Sequence, residues 1–296
     1  MSEARRPSWL NQNLYPFQSR HIEVDGCRLH YIDEGAGPVL LLMHGNPTWS
    51  FLYRDIVKGL SGRFRCIALD YPGFGLSIAR DGYSFKPAEH SSIVEKFVLA
   101  LNLSDLTIMV QDWGGPIGLG FAGRHPNRIR ALVIGNTWAW PIDGDPRLER
   151  FSKLVGGPIG GFLIHNFNAF VNLFIPAGVR RHKLPPQVMA AYRGPFPTHA
   201  SRTPTHIFPR EILGSRQYLS EVEAGLTRLT DRPALIVWGD RDFGFREKER
   251  QRFEQIFPRH RTVILRGAGH FIQEDAAEGI VTAIVEWWDG DVNRAG

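Results

Sequence analysis

A nine-residue segment, VQDWGGPIG at positions 110–118, carries the side chain with the clearest chemical potential. Asp112 stands between an apolar run and a glycine-containing helical pattern. A strand, a sharp turn and a helix in this order form a nucleophile elbow, on which a catalytic serine is usually presented. Here an aspartate takes that place, and Val110 stands where the pattern usually has a glycine. Because Asp is also a good helix N-cap, capping is the alternative interpretation.

A carboxylate at such a turn suits displacement at a saturated carbon. Its ordinary pKa is about 4, so it is ionised at neutral pH and attacks without the help of a base. The attack forms an ester between protein and substrate. A histidine is then required to activate the water that hydrolyses this ester.

A histidine and an acid occur where this mechanism requires them. Of eleven histidines, only His270 follows the last apolar run, and Asp240 and Asp242 follow the run before it. The chain order nucleophile, acid, histidine is that of α/β-hydrolase triads. We therefore predict Asp112 as nucleophile and His270 as base, with either Asp240 or Asp242 as its acid, and the other of the two as a turn-capping residue. Asn136, after the preceding run, is neutral and cannot stabilise an imidazolium as a carboxylate does.

A displaced leaving group needs hydrogen-bond donors, and two candidates flank the elbow. Asn46 lies in HGNPTWS after the third predicted strand, and Trp113 follows the nucleophile directly. An amide NH₂ and an indole N–H both donate to an anion, and their value rises in a dry pocket. Each residue alone has a plainer interpretation, Trp113 as core and Asn46 as a turn residue. Together they predict anion binding, and their backbone N–H groups can form an oxyanion hole for ester hydrolysis.

Three glycines imitate a nucleotide-binding motif. Gly118, Gly120 and Gly123 match G-x-G-x-x-G, but they lie inside the helical pattern rather than at its start. No acid ends the following strand near Asn136, and the motif requires both features. We therefore expect no cofactor, and no ligand cluster indicates a metal.

The residues around these side chains predict an α/β protein with a mostly parallel sheet. The turn at Asp25 and Gly26 predicts a hairpin of the first two strands. Six near-continuous apolar runs then alternate with helical patterns, which is typical of parallel strands buried on both faces. Those runs are PVLLLM, RFRCIALDY, LTIMVQD, IRALVIGNT, PALIVWG and RTVILR.

The alternation stops between about residues 138 and 230, a stretch rich in Phe, Gly and Pro. We predict a helical cap at 138–230, inserted after the sixth strand of a core formed by 1–137 and 231–296. Ligands of open α/β sheets bind at the carboxyl ends of the strands, so this insertion would cover a pocket. A packing subdomain is the alternative. Four aromatic residues either line the pocket or pack the cap: Phe162, Phe167, Phe170 and Phe174.

The composition of the 296 residues limits the partners. The net charge is +5, but Lys and Arg are scattered, so we expect no nucleic acid. The apolar runs are too short to span a bilayer and the first residues lack an apolar core, so we expect no membrane partner, no secretory signal and a cytoplasmic location. Cys27 and Cys66 are far apart and are predicted to be ordinary buried thiols.

Six motifs together resemble the haloalkane dehalogenases of the α/β-hydrolase superfamily, from about residue 14 to 288. They are HGNPTWSFLYR, DYPGFGLS, QDWGGPIG, AYRGPFP, WGDRD and GHFIQED. The resemblance implies that Asp112, His270 and Asp242 form the triad and that Asn46 and Trp113 bind the halide. It further implies a halogenated hydrocarbon as substrate, with alcohol and halide as products. The Asn–Trp pair combined with an acid after the seventh strand resembles the third subfamily, and a homo-oligomer is a possible assembly.

Two rival functions stay open from the sequence. An epoxide hydrolase uses the same triad and adds cap tyrosines that protonate the epoxide, and Tyr192 and Tyr218 lie in the insertion. Asn46, where epoxide hydrolases usually have an aromatic residue, argues against it. The other rival is a non-catalytic binding protein of the hydrolase fold, against which the complete triad argues.

Overall fold

An eight-stranded sheet forms the centre of the molecule. In the computed structural model, residues 6–293 are described. The strands are β1 (Arg20–Val24), β2 (Cys27–Glu34), β3 (Val39–Met43), β4 (Arg65–Leu69), β5 (Leu106–Asp112), β6 (Ile129–Thr137), β7 (Ala234–Gly239) and β8 (His260–Leu265). Their order is β1-β2-β4-β3-β5-β6-β7-β8, and β3 to β8 pair in parallel.

The local sequence explains how the sheet is built. Asp25 and Gly26 have φ of 52° and 74°, the left-handed conformation that a two-residue hairpin turn requires, and they join β1 and β2 in an antiparallel pair. β5 and β7 are buried along their whole length because helices flank the sheet. Cys27 and Cys66 are buried free thiols. The predicted α/β-hydrolase fold is confirmed.

Eleven helices surround and extend the sheet. They are α1 (Arg54–Leu60), α2 (Pro87–Ala100), α3 (Gly114–Arg124), α4 (Pro146–Val155), α5 (Pro158–Phe167), α6 (Ile175–Gly178), α7 (Pro186–Arg193), α8 (Thr203–Gly214), α9 (Arg216–Leu226), α10 (Glu247–Ile256) and α11 (Ile272–Trp287). A π-helical turn, Phe170–Phe174, precedes α6. α1 packs against α11, while α2 and α9 both pack against α3.

Helices α4 to α9 fall between β6 and β7, but they do not all belong to one layer. α4 and α5 both pack against α8, whereas α9 packs against α3. A Cβ added at Gly123 of α3 would lie 3.0 Å from the Gly225 backbone of α9, and the Tyr218 hydroxyl donates to the Pro116 carbonyl at 2.7 Å. These contacts fix α9 to α3 of the core.

The length and hydrophobicity of the helices decide whether any of them could span a membrane. Within residues 6–293, no single helix is long and apolar enough to cross a bilayer. Two consecutive helical segments, Pro158–Phe167 and Phe170–Gly178, reach the length and composition of a membrane span only when they are counted together. They are bent by 88° relative to each other.

Candidate functional site

Asp112 ends β5 with a φ of 50°, a strained conformation for a residue with a side chain. Glycines make this turn possible, because a Cβ at Gly114 would lie 2.1 Å from the Met43 carbonyl oxygen and one at Gly45 would lie 2.3 Å from Asp112 Oδ1. The departure from the pattern at Val110 is compensated by Gly118, whose added Cβ would lie 2.9 Å from the valine side chain. The turn therefore presents the carboxylate where the sequence predicts a nucleophile.

The remaining glycines of the rejected nucleotide motif also serve helix packing. An added Cβ at Gly120 would lie 2.6 Å from the Tyr218 hydroxyl, and Gly123 lies against Gly225. Both positions let α9 approach α3 closely.

His270 follows β8 and lies between the two carboxylates. Its Nδ1 is 3.0 Å from Asp242 Oδ2, and its Nε2 is 3.5 Å from Asp112 Oδ2. Burial alone would lower the pKa of His270, but the negative charges of Asp242 and Asp112 outweigh it and raise the pKa to about 10. The two neighbouring carboxylates therefore favour the imidazolium form of His270.

The two competing acids take different places. Asp242 is fully buried at its side chain and contacts His270, whereas Asp240 accepts a hydrogen bond from the Gly267 backbone N–H at 2.6 Å. Asn136, set aside in the sequence as a neutral amide, donates to Asp242 Oδ2 at 2.9 Å and accepts from the Gly239 N–H at 2.7 Å. It thus ties the end of β6 to the acid after β7. This contact exists because β6 and β7 are neighbours in the sheet. The order of the strands along the chain does not specify which strands are neighbours.

Asn46 and Trp113 lie beside the carboxylate of Asp112. The Asn46 backbone N–H donates to Asp112 Oδ1 at 2.7 Å, and its side-chain Nδ2 donates to the Thr205 carbonyl at 3.3 Å. The second hydrogen of that amide stays available. Trp113 is 2% exposed and, like Asn46, lines the cavity in front of Asp112. Two residues that carry side-chain N–H donors therefore line the cavity beside Asp112.

The cavity has a volume of about 550 Å³ and is lined mainly by apolar side chains. Phe170 and Phe174 line it, whereas Phe162 and Phe167 are about 60% exposed on the outside of α5. Other lining residues come from α4, α8 and the loops after β7 and β8, among them Leu148, Phe151, Pro209, Ile212, Phe243, Phe245 and Phe271. The loop phenylalanines were not singled out in the sequence, where no periodic pattern marks them.

The two cap tyrosines lie away from this cavity. The Tyr192 hydroxyl donates to Glu274, which also forms a bidentate ion pair with Arg54. The Tyr218 hydroxyl donates to the Pro116 carbonyl. Neither tyrosine lines the cavity, so neither is placed to protonate an epoxide there.

Comparison with known proteins decides the family. Residues 38–277 match the model of the alpha/beta hydrolase fold. The chain is 44% identical over 275 residues to haloalkane dehalogenase 2 of Mycobacterium bovis, with 92% of this chain and 96% of the relative covered. The chain belongs to the haloalkane dehalogenase family. The family resemblance predicted from the motifs is thereby confirmed.

Solved haloalkane dehalogenases share the architecture as well. A haloalkane dehalogenase of Bradyrhizobium elkani superposes with a TM-score of 0.86 at 28% identity, covering 94% of this chain and 99% of that one. A putative ancestral haloalkane dehalogenase superposes with a TM-score of 0.84 at 30% identity, covering 94% and 100%. A cis-3-alkyl-4-alkyloxetan-2-one decarboxylase of Shewanella oneidensis is 35% identical to the chain over 280 residues, covering 92% of this chain and 88% of the relative.

Proposed function

We propose that the protein hydrolyses the carbon–halogen bond of haloalkanes through an ester on Asp112. One observation carries the proposal: the Asp112 carboxylate is held between the Asn46 N–H and His270 at the base of an apolar cavity. The family to which the chain belongs supplies the reaction type. The assignment of each residue's role rests on the distances given above.

In the first step, Asp112 Oδ2 attacks the carbon that bears the halogen. Oδ1 already accepts the Asn46 N–H, so Oδ2 is the oxygen free to form the new bond. The carbon–halogen bond breaks, and the halide leaves with the bonding pair toward Asn46 Nδ2 and Trp113 Nε1. Preorganised donors in a dry cavity stabilise charge that develops there without reorganisation.

The second step depends on a change in the charge of the site. Esterification neutralises Asp112, which removes one of the two anions that raise the pKa of His270. His270 then loses its proton to solvent and becomes a base, held in the correct orientation by Asp242.

The ester is hydrolysed by a water that His270 deprotonates. The hydroxide adds to Cγ of Asp112, while the Asn46 N–H donates to the developing negative charge on Oδ1. Collapse breaks the bond from Cγ to the alkyl oxygen, and the alkoxide takes the second proton of the water from the new carboxyl group, which leaves Asp112 as a carboxylate and His270 as an imidazolium. The sum is haloalkane plus water giving alcohol, halide and one proton.

A second candidate function follows from the 35% identity to an oxetanone decarboxylase. The same carboxylate can open such a four-membered lactone at its saturated carbon, with the ring carboxylate as leaving group. Loss of CO₂ would then give an alkene and free Asp112. Alkene formation from a cis-3-alkyl-4-alkyloxetan-2-one, without halide release from any haloalkane, would favour this function.

The test is halide release from a panel of short bromoalkanes, with styrene oxide hydrolysis measured in parallel. We expect release by the wild type, none by Asp112→Ala, and a single equivalent by His270→Phe with the alkyl ester retained. Intact-mass measurement and peptide mapping should place the added alkyl group on Asp112. His125→Phe is the matched control, since His125 pairs with Glu95 far from the site. Diol formation without halide release would instead indicate an epoxide hydrolase.

Four further assignments accompany this proposal. We propose that residues 138–214 form the cap over the cavity, with α9 part of the core. Membership of the third subfamily and a homo-oligomeric state remain predictions, as does the cytoplasmic location.

A further inference from the structure

The outer surface of the cap carries apolar side chains where a helix normally presents polar ones. On α5, Ile159, Phe162, Leu163 and Phe167 are 42–76% exposed, while Gly161 and Ile164 face inward. Leu154 before α5 and Leu173 after it are each 62% exposed. We call these six exposed residues the apolar cap face: Leu154, Ile159, Phe162, Leu163, Phe167 and Leu173. Exposed contiguous apolar surface of this kind marks an interaction site.

The segment that carries this face is rich in basic residues. From Arg150 to Arg210 the sequence contains eight Lys and Arg residues and no Asp or Glu, although the whole chain contains 30 acidic residues. Within the described part of the chain, only Lys153 of these eight forms an ion pair with a carboxylate, that of Glu149. The others therefore keep their positive charge available to a partner.

Four of the basic residues border the apolar cap face. Lys153 ends α4 beside Leu154, and the Arg210 backbone lies against Gly156 in the turn between α4 and α5. Arg202 donates to the His165 carbonyl near the end of α5. Arg193 donates to Asn172, the neighbour of Leu173. These four basic residues lie near the apolar cap face, and we call them the basic rim: Lys153, Arg193, Arg202 and Arg210.

We propose that the apolar cap face and its basic rim dock on an anionic lipid surface. Apolar side chains in the acyl boundary and basic side chains among the headgroups are the features of proteins that lie on membranes without spanning them. A second copy of the chain is a poorer occupant, because two faces with the same basic rim repel each other. The expectation of no membrane partner concerned spanning segments, and surface docking requires none.

The position of the cavity mouth connects membrane docking to the uptake of substrate. Leu154 is both 62% exposed and a lining residue of the cavity, and the exposed Arg150 lines it too. The mouth of the cavity therefore lies at the edge of the apolar cap face. If the proposed function holds, apolar substrates dissolved in a bilayer reach Asp112 without crossing water. Lipid binding itself does not depend on that function.

The test is flotation of the full-length protein with two kinds of vesicle. One kind contains phosphatidylcholine alone, and the other contains phosphatidylcholine with roughly 30% phosphatidylglycerol as the anionic lipid. We expect the wild type to float with the anionic vesicles and far less with the neutral ones. The double variant Phe162→Ser/Phe167→Ser should reduce the bound fraction at least about fivefold, while Lys153→Gln/Arg210→Gln should remove the preference for anionic lipid. Leu99→Ser is the matched control, since Leu99 is 46% exposed on α2.

Halide release separates this proposal from the proposed function. Phe162 and Phe167 do not line the cavity, so their double variant should release halide from a water-soluble bromoalkane at the wild-type rate. Vesicle binding by a protein that releases no halide would refute only the proposed function. Wild-type protein that ignores both kinds of vesicle, or floats equally well with both phenylalanines replaced, would overturn the docking proposal. A dimer that the Phe162→Ser/Phe167→Ser exchange dissociates, without vesicle binding, would assign the face to a second copy.

Discussion

Replacing Asp242 with Asn separates the two steps of the reaction. The exchange keeps the size of the side chain and removes the charge that faces His270 Nδ1 at 3.0 Å. Alkylation of Asp112 needs no base, so its rate should change little. Hydrolysis of the ester forms an imidazolium, and this species loses its only remaining carboxylate partner once Asp112 is esterified. The variant should therefore stall after the first step.

The size of the effect follows from the pKa of His270. The two carboxylates raise it to about 10 against the opposing effect of burial, compared with about 6.5 for a free histidine. That difference corresponds to stabilisation of the imidazolium by on the order of 5 kcal/mol, shared between Asp112 and Asp242. We assign most of this stabilisation to Asp242, the carboxylate that persists in the ester. Its loss should slow hydrolysis by about 10³-fold, at about 1.4 kcal/mol per factor of ten.

The assay is rapid-mixing measurement of halide release at neutral pH with excess bromoalkane. Asp242→Asn should give a burst of one equivalent of halide per site at nearly the wild-type rate, followed by turnover slowed about 10³-fold. Intact mass should show the alkyl ester accumulating. Asp240→Asn is the control, since Asp240 holds only the Gly267 N–H, and it should turn over within about threefold of the wild type. Steady turnover by Asp242→Asn without a burst, or an equal loss in Asp240→Asn, would refute this assignment.

Four further outcomes are expected. Lowering the pH should slow ester hydrolysis but not the halide burst, because only the neutral form of His270 accepts the proton of water; a burst lost in parallel with turnover would contradict this. The raised folded-state pKa of His270 also stabilises the fold below about pH 6.5, and chemical denaturation should show this advantage over His270→Phe declining as the pH rises toward about 10. Trp113→Phe should slow the halide burst by about 10²-fold while leaving hydrolysis of a preformed ester nearly unchanged, which single-turnover kinetics can resolve. Gly45→Ala should reduce activity more than 10²-fold, since its Cβ would lie 2.3 Å from Asp112 Oδ1 and displace the carboxylate; a crystal structure of the variant with an unmoved carboxylate and full activity would refute this.

The sequence predicts the fold well because each strand is a short apolar run with a clear end. The positions of His270 and of the two candidate acids follow from chain order, since parallel strands bring their carboxyl ends to one edge. The choice of Asp242 over Asp240 came from the family resemblance. The contact of Asn136 with Asp242 depends on which strands are neighbours, and that is a tertiary property. The packing of α9 on α3 is a tertiary property as well, and the sequence of α9 does not indicate it.

The assignments for the cap phenylalanines required the structure, because all four belong to one aromatic stretch. Phe170 and Phe174 line the cavity from the π-helical turn. Phe162 and Phe167 face outward on α5. Hydrophobicity indicates burial in most proteins, so an apolar outer face cannot be recognised from the sequence by that rule.

The charge on the site constrains how strongly the halide is held. Before attack, Asp112 and Asp242 are negative and His270 is positive, so the three side chains carry one net negative charge. Alkylation transfers that charge from Oδ2 to the halide without changing the total, and Asn46 and Trp113 receive it at the cavity wall. While the halide remains, its charge replaces that of Asp112 in favouring the imidazolium. The proposed donors must therefore hold the halide strongly enough to aid its departure from carbon but weakly enough to let it go.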